Sequence, residues 1–147
     1  MSVLSRQHVQ AEFPPGKYYL GDLCYVLTPE QWDELMDQAI DGGWGCRDGD
    51  FIVDGERIFL GSTHSGDGTY YDNKKNQYSV DSGTIGICPI KLITPELIEY
   101  NKNLQLGSIL EIKERFKISS DNGIFILNDN STLFIIIDTS EECEEEE

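Results

Sequence analysis

The sequence predicts an α+β domain: a mainly antiparallel, barrel-like or strongly curved β-sheet with one or two short helices, followed by a disordered acidic tail. Three observations carry this. Short aromatic and β-branched runs separated by Gly, Asp and Asn recur from Lys17 to Ile137, the pattern of short strands and tight turns. One early segment shows helical periodicity with a complete set of start signals. The last ten residues, Asp138 to Glu147, hold seven of the 27 acidic residues and no base. Such a run cannot bury surface and repels itself. With 147 residues and no linker-like stretch, the chain reads as a single β-rich domain over 1–137 with the tail at 138–147.

Residues 1–12 are polar and irregular and read as a loose arm, closed by Pro14-Pro15-Gly16. Lys17 to Leu27 reads as two short strands around Gly21-Asp22, or one strand with a bulge. Thr28 then stands as an N-cap, with Pro29 at the first helical position and Gln31 completing a capping box. Leu27 and Trp32 are spaced as a hydrophobic staple. Trp32, Leu35, Met36, Ala39 and Ile40 form an apolar stripe, opposed by an acidic face of Glu30, Asp33, Glu34, Asp37 and Asp41 and stopped by Gly42-Gly43.

Beyond the helix, Asp54-Gly55 marks a hairpin between Phe51–Val53 and Arg57–Leu60. A second hairpin joins Thr69–Tyr71 to Gln77–Val80 around Asp72–Asn76. Thr84 to Ile90 is a further strand, with Pro89 at its end or on an edge. Thr94-Pro95-Glu96 starts a shorter helix. The runs around Phe116–Ile118, Gly123–Leu127 and Thr132–Ile137 are nearly continuous in apolar residues and predict strands buried on both faces, with a tight hairpin at Asn128–Asn130.

The formal net charge is −16. Without the last ten residues the balance is still 20 acids against 11 bases. Binding of nucleic acid through phosphate contacts is therefore disfavoured, as is an anionic membrane surface. A basic protein partner, met by the acidic tail, is the macromolecule that long-range attraction favours. No apolar run is long enough to cross a bilayer, and the N-terminus carries no hydrophobic leader, so a cytoplasmic protein with reduced thiols is expected. No Cys-x-x-Cys pair is present to anchor zinc through Cys24, Cys46, Cys88 or His64, and no cofactor motif is found.

Candidate chemistry gathers on three glycine-flanked acidic corners: Gly21-Asp22, Gly66-Asp67-Gly68 and Asp81-Ser82-Gly83. Such corners are the ordinary material of turns, and they are also places where backbone lets a ligand approach closely. Asp22, Asp67, Tyr70, Asp81 and Ser82 are the candidate ligand-binding residues. A pocket lined by Tyr18, Tyr19, Tyr25, Tyr70, Tyr71 and Tyr78 would suit a small polar ligand. An enzymatic alternative uses Cys24 as nucleophile, His64 as base and Asp81 or Asp67 to orient the imidazole, giving a small hydrolase or transferase. A metal-assisted version would gather Asp22, Asp67 and Asp81, or the Asp48, Asp50 and Asp54 cluster, on a hard cation. The sequence as a whole favours a non-enzymatic binding or interaction domain for a basic partner or a small polar ligand.

The blocks Gly21-Asp-Leu-Cys-Tyr25, Gly66-Asp-Gly-Thr-Tyr70 and Val80-Asp-Ser-Gly-Thr-Ile-Gly86, with a Trp-bearing helix after the first, resemble small uncharacterised proteins of bacteria, phages and large DNA viruses. That group tends to read Gly-Asp-Pro-Cys-Tyr in the first block, from which Leu23 departs. The resemblance spans residues 16 to about 90. It implies a shared architecture, brings no established activity, and would place the protein inside a host cell if it is viral.

Overall fold

The structure, a computed structural model, describes residues 8–39, 48–64, 66–104, 106–121, 123–129 and 133–139. In chain order these form β1 (His8–Phe13), β2 (Gly16–Gly21), α1 (Pro29–Ala39), β3 (Gly49–Val53), β4 (Glu56–Ser62), β5 (Gly68–Tyr71) and β6 (Gln77–Val80). There follow β7 (Thr84–Pro89), α2 (Pro95–Leu104), β8 (Gly107–Ile112), β9 (Phe116–Asp121), β10 (Ile124–Asp129) and β11 (Leu133–Asp138). Single 3₁₀ turns lie at Leu23–Tyr25 and Ile90–Leu92. Cys46, the Gly42-Gly43 helix stop and the tail from residue 140 on lie outside the described residues; Asp138, expected in the tail, instead ends β11, and Thr139 is buried.

Two-residue alternation along the strands sets the architecture. β3-β4-β7-β2-β8 form a five-stranded antiparallel sheet, β1-β9-β10-β11 a four-stranded one, and β5-β6 a separate hairpin. In the five-stranded sheet, Tyr18, Leu20, Phe59, Ile85 and Ile87 point to one side and share a core with Phe13, Phe116, Phe125, Leu127 and Ile137 of the four-stranded sheet. Their sequence neighbours Tyr19, Ile58, Leu60 and Cys88 point to the other side and pack with Leu23, Val26 and Leu35 from the 3₁₀ turn and α1. The five-stranded sheet is thus the middle layer, covered on both faces. Each sheet ends in edge strands, β3 and β8 in one and β1 and β11 in the other, so the barrel-like expectation gives way to stacked open sheets. The coarser expectation holds: the fold is β-rich and antiparallel, with two short α-helices.

Several local expectations are borne out. The capping box closes reciprocally: Gln31 N donates to Thr28 Oγ1 at 3.1 Å and Thr28 N to Gln31 Oε1 at 2.9 Å. The Gln31 amide also donates to Asp54 Oδ2 and the Leu92 carbonyl, so the cap ties α1 to the β3–β4 hairpin and the second 3₁₀ turn. That hairpin turns through Asp54 and Gly55 at φ of 50° and 79°, the left-handed pair its sequence announces. Pro89 ends β7.

Other readings are corrected. His8–Phe13 is a strand paired along its length with β9. Its apolar residues, Val9, Ala11 and Phe13, alternate along it and pack into or against the core between the sheets. Gly107–Ile112 forms the edge strand β8, in a segment to which the sequence analysis assigned no element. Past Gly21 the chain leaves the extended conformation for the 3₁₀ turn that Asp22 caps, so Cys24 and Tyr25 are not in a strand. β10 and β11 are not buried on both faces: Phe125, Leu127, Ile135 and Ile137 are buried, while Ile124, Ile126, Phe134 and Ile136 are half-buried.

Side-chain amides occupy two sheet edges. Gln38 donates to the Ile52 carbonyl at 2.6 Å and accepts from Ile52 N at 3.2 Å along β3. On β11 the backbone N–H of Asn73 donates to the Ile136 carbonyl at 3.1 Å, and its side-chain oxygen accepts from Ile136 N at 3.0 Å. These contacts occupy backbone groups that would otherwise template strand addition.

Candidate functional site

Two regions compete. The first is the acidic corner. Asp22 is fully buried, and both its oxygens are occupied. Oδ1 accepts from Cys24 N at 3.0 Å and Ser82 Oγ at 2.8 Å, while Oδ2 accepts from Asp81 N and Ser82 N, each at 2.7 Å. The carboxylate therefore caps the 3₁₀ turn and staples it to the β6–β7 loop, about 60 residues further along the chain. Ser82 Oγ lies 2.6 Å from Thr84 Oγ1, extending the network into β7. Asp81 and Asp67 carry exposed side chains nearby; a Cβ on Gly83 would lie 3.8 Å from Asp67 Oδ1.

This corner is hostile to a thiolate. Burial pushes the Cys24 thiol well above its ordinary value. The charge of Asp22 and its hydrogen bond, then the charges of Asp81 and Asp67, push the same way. Tyr25 is raised to about 12 by burial and then by the charges of Asp81, Cys24, Asp22 and Asp67. His64 is exposed; its backbone N–H goes to Thr139 Oγ1 at 2.8 Å, and a Cβ on Gly123 would meet its Cβ at 2.6 Å. It enters none of the hydrogen bonds or charge interactions that the structure assigns to Cys24. Among the described residues, no three His, Cys, Asp or Glu side chains gather closely enough to hold a metal ion.

The six tyrosines disperse. Tyr70 is buried in the core between the sheets and donates to the Gly66 carbonyl at 2.8 Å. Tyr19 packs on the α1 side, and Tyr71 is 51% exposed. Tyr78 donates to Asp72 Oδ2 at 2.7 Å inside the β5–β6 hairpin. Only Tyr18 lines the second region.

The second region is a half-open groove of about 530 Å³ at one end of the five-stranded sheet. Antiparallel order brings the start of β4, the end of β7 and the start of β2 to that end together. Pro89, paired with Tyr18, has no N–H to continue the ladder, so the strands part there. The floor is apolar. The Tyr18 ring stands edge-on to Phe13 at 5.7 Å, and its hydroxyl donates to the Pro14 carbonyl at 2.7 Å. Burial raises the Tyr18 phenol, partly offset by the charges of Arg57 and Arg115. Pro15, Pro89 and Ile90 complete the apolar wall.

The rim is charged. Arg57 lies over the Phe13 ring, 4.3 Å from its centroid, donates to the Glu12 carbonyl and faces Asp50 at 3.7 Å. Lys91 meets Glu56 at 3.4 Å with its side chain 72% exposed. Lys17 lines the groove and makes no ion pair among the described residues. No family model, curated protein or solved structure matches the chain. The geometry therefore carries the functional argument.

Sequence reading marked Pro14-Pro15-Gly16 and Pro89 as punctuation but missed Lys17, Arg57 and Lys91 as a set. These cations stand on three segments far apart in the chain, and no local pattern joins them.

Proposed function

We propose that the chain is a small-ligand binding domain and that its ligand seats in the groove between Phe13, Tyr18, Arg57 and Pro89. The observation that carries this is the groove itself. At about 530 Å³ it lies in the size range of small-molecule sites, and it joins an aromatic and proline floor to a few placed polar groups. The acidic corner supports a structural role better: Asp22 spends its acceptors on the protein's own amides, and Cys24 is held as a thiol. The basic partner expected for the tail rests on sequence charge alone, since the tail from residue 140 on lies outside the described residues.

Ligand-observed NMR with a mixture of small aromatic acids, amides and amines tests the reading. Binding to the wild-type chain should disappear in Pro15→Trp, which fills the groove, and persist in Asp81→Asn. Loss in Asp81→Asn with retention in Pro15→Trp would move the site to the acidic corner.

A further inference from the structure

We infer that the groove's ligand is an anion with a compact apolar body, a carboxylate or phosphate carried on a ring or short chain, and that Lys17 and Lys91 hold its charged end. This rests on the groove being the ligand site. The charge argument is local. The chain has 27 acidic residues and 11 lysines and arginines, yet the groove lining holds three of those cations and one acid, Glu56. At physiological salt, charges more than about 8 Å away are largely screened, so a bound ligand responds to this lining and to the two acids beside it, Asp50 next to Arg57 and Glu111 opposite Lys17, more than to the chain's overall negative charge.

The three cations are not equivalent. Arg57 is already engaged by the Glu12 carbonyl, the Asp50 carboxylate and the Phe13 ring, which makes it a fixed part of the rim. Lys91 holds Glu56 only through an exposed contact, the kind of pair that exchanges at little cost. Lys17 has no carboxylate partner among the described residues. Two lysines therefore remain free to meet an incoming anion, while Tyr18, Pro15 and Ile90 offer apolar surface to the rest of it. A cationic ligand of the same shape would meet like charge at Lys17 and Lys91.

Titration calorimetry on the full chain with four matched probes decides it: phenylacetate, phenyl phosphate, phenylacetamide and phenethylamine. Both anions should bind at least about fivefold tighter than the neutral amide, and the amine should bind weakest. Lys17→Gln and Lys91→Gln should each erode that preference while leaving the amide's affinity unchanged. Added salt should weaken the anions alone. The tighter of the two anions assigns the headgroup as carboxylate or phosphate. Equal affinity of phenylacetate and phenylacetamide, both abolished by Pro15→Trp, would overturn the anion inference and leave the groove reading standing. Binding that survives Pro15→Trp, or no binding of any probe at millimolar concentration, would overturn the groove reading and this inference with it.

Discussion

Asp22 shows how a residue that looks catalytic can be structural. A buried carboxylate is tolerated only when its lone pairs are filled, and here three backbone amides and a serine hydroxyl fill them. Asp22→Asn keeps the volume but turns one acceptor into a donor that must face those same donors. The expected cost is about 2–3 kcal/mol, read as a lower urea midpoint with unchanged slope. The same change removes the negative charge beside the Cys24 thiol, so Cys24 should alkylate faster at fixed pH than in the wild-type chain. Unchanged stability together with unchanged thiol reactivity would deny Asp22 this role. Asp22, Asp81 and Ser82 stand out in the sequence because they sit in glycine-flanked corners at strand ends. The sequence could not show that the first bonds to the other two, because that contact spans the sheet and depends on the pairing of β2 with β7.

At the scale of elements, local chemistry was legible wherever the signal sits within a few residues. The Thr28–Gln31 box and the Asp54-Gly55 turn are examples. β1 and β8 escaped notice because each is six residues long with only three apolar side chains, Val9, Ala11 and Phe13 in β1 and Ile109, Leu110 and Ile112 in β8, too short a pattern to read beside polar flanks. The β5–β6 hairpin is organised by Asp72, which accepts from Lys74 N, Asn76 N, the Asn76 amide and the Tyr78 hydroxyl. Burial alone would raise its carboxyl, but these hydrogen bonds outweigh it and hold the group below its ordinary value. A folded-state pKa below the unfolded one stabilises the protein above the unfolded value, about 3.9, and that contribution fades as pH falls through the folded value. Wild-type chain should therefore exceed Asp72→Asn in stability at pH 6. The gap should shrink on acidification from about pH 4 downward, as followed by urea denaturation. A gap independent of pH would assign the loss to packing instead.

For the molecule as a whole, the three layers explain both the fold and the location of the groove. β2, β4 and β7 are buried on both faces because a second sheet covers one side and α1 with the 3₁₀ turns covers the other. Each fully buried Leu, Ile or Phe contributes about 1.5–3 kcal/mol, so this doubly covered sheet is where stability concentrates. Close contact between layers needs small residues: a Cβ on Gly61 would come within 2.6 Å of the Phe125 ring. Which apolar run meets which was not readable from the chain, since hydrophobic alternation tells a strand's buried face but not its neighbour. That gap is why a barrel was expected where stacked sheets are found. It is also why the groove, which exists only where three distant segments end together, went unseen.

Amide chemical-shift mapping on the ¹⁵N-labelled chain titrated with phenylacetate tests the placement of the site most directly. Shifts concentrated at residues 13, 16–18, 56–57 and 90–91, with residues 22–25, 67 and 81–84 unmoved, are the expected result. A map centred on Asp22, Asp67 and Ser82 instead would contradict it.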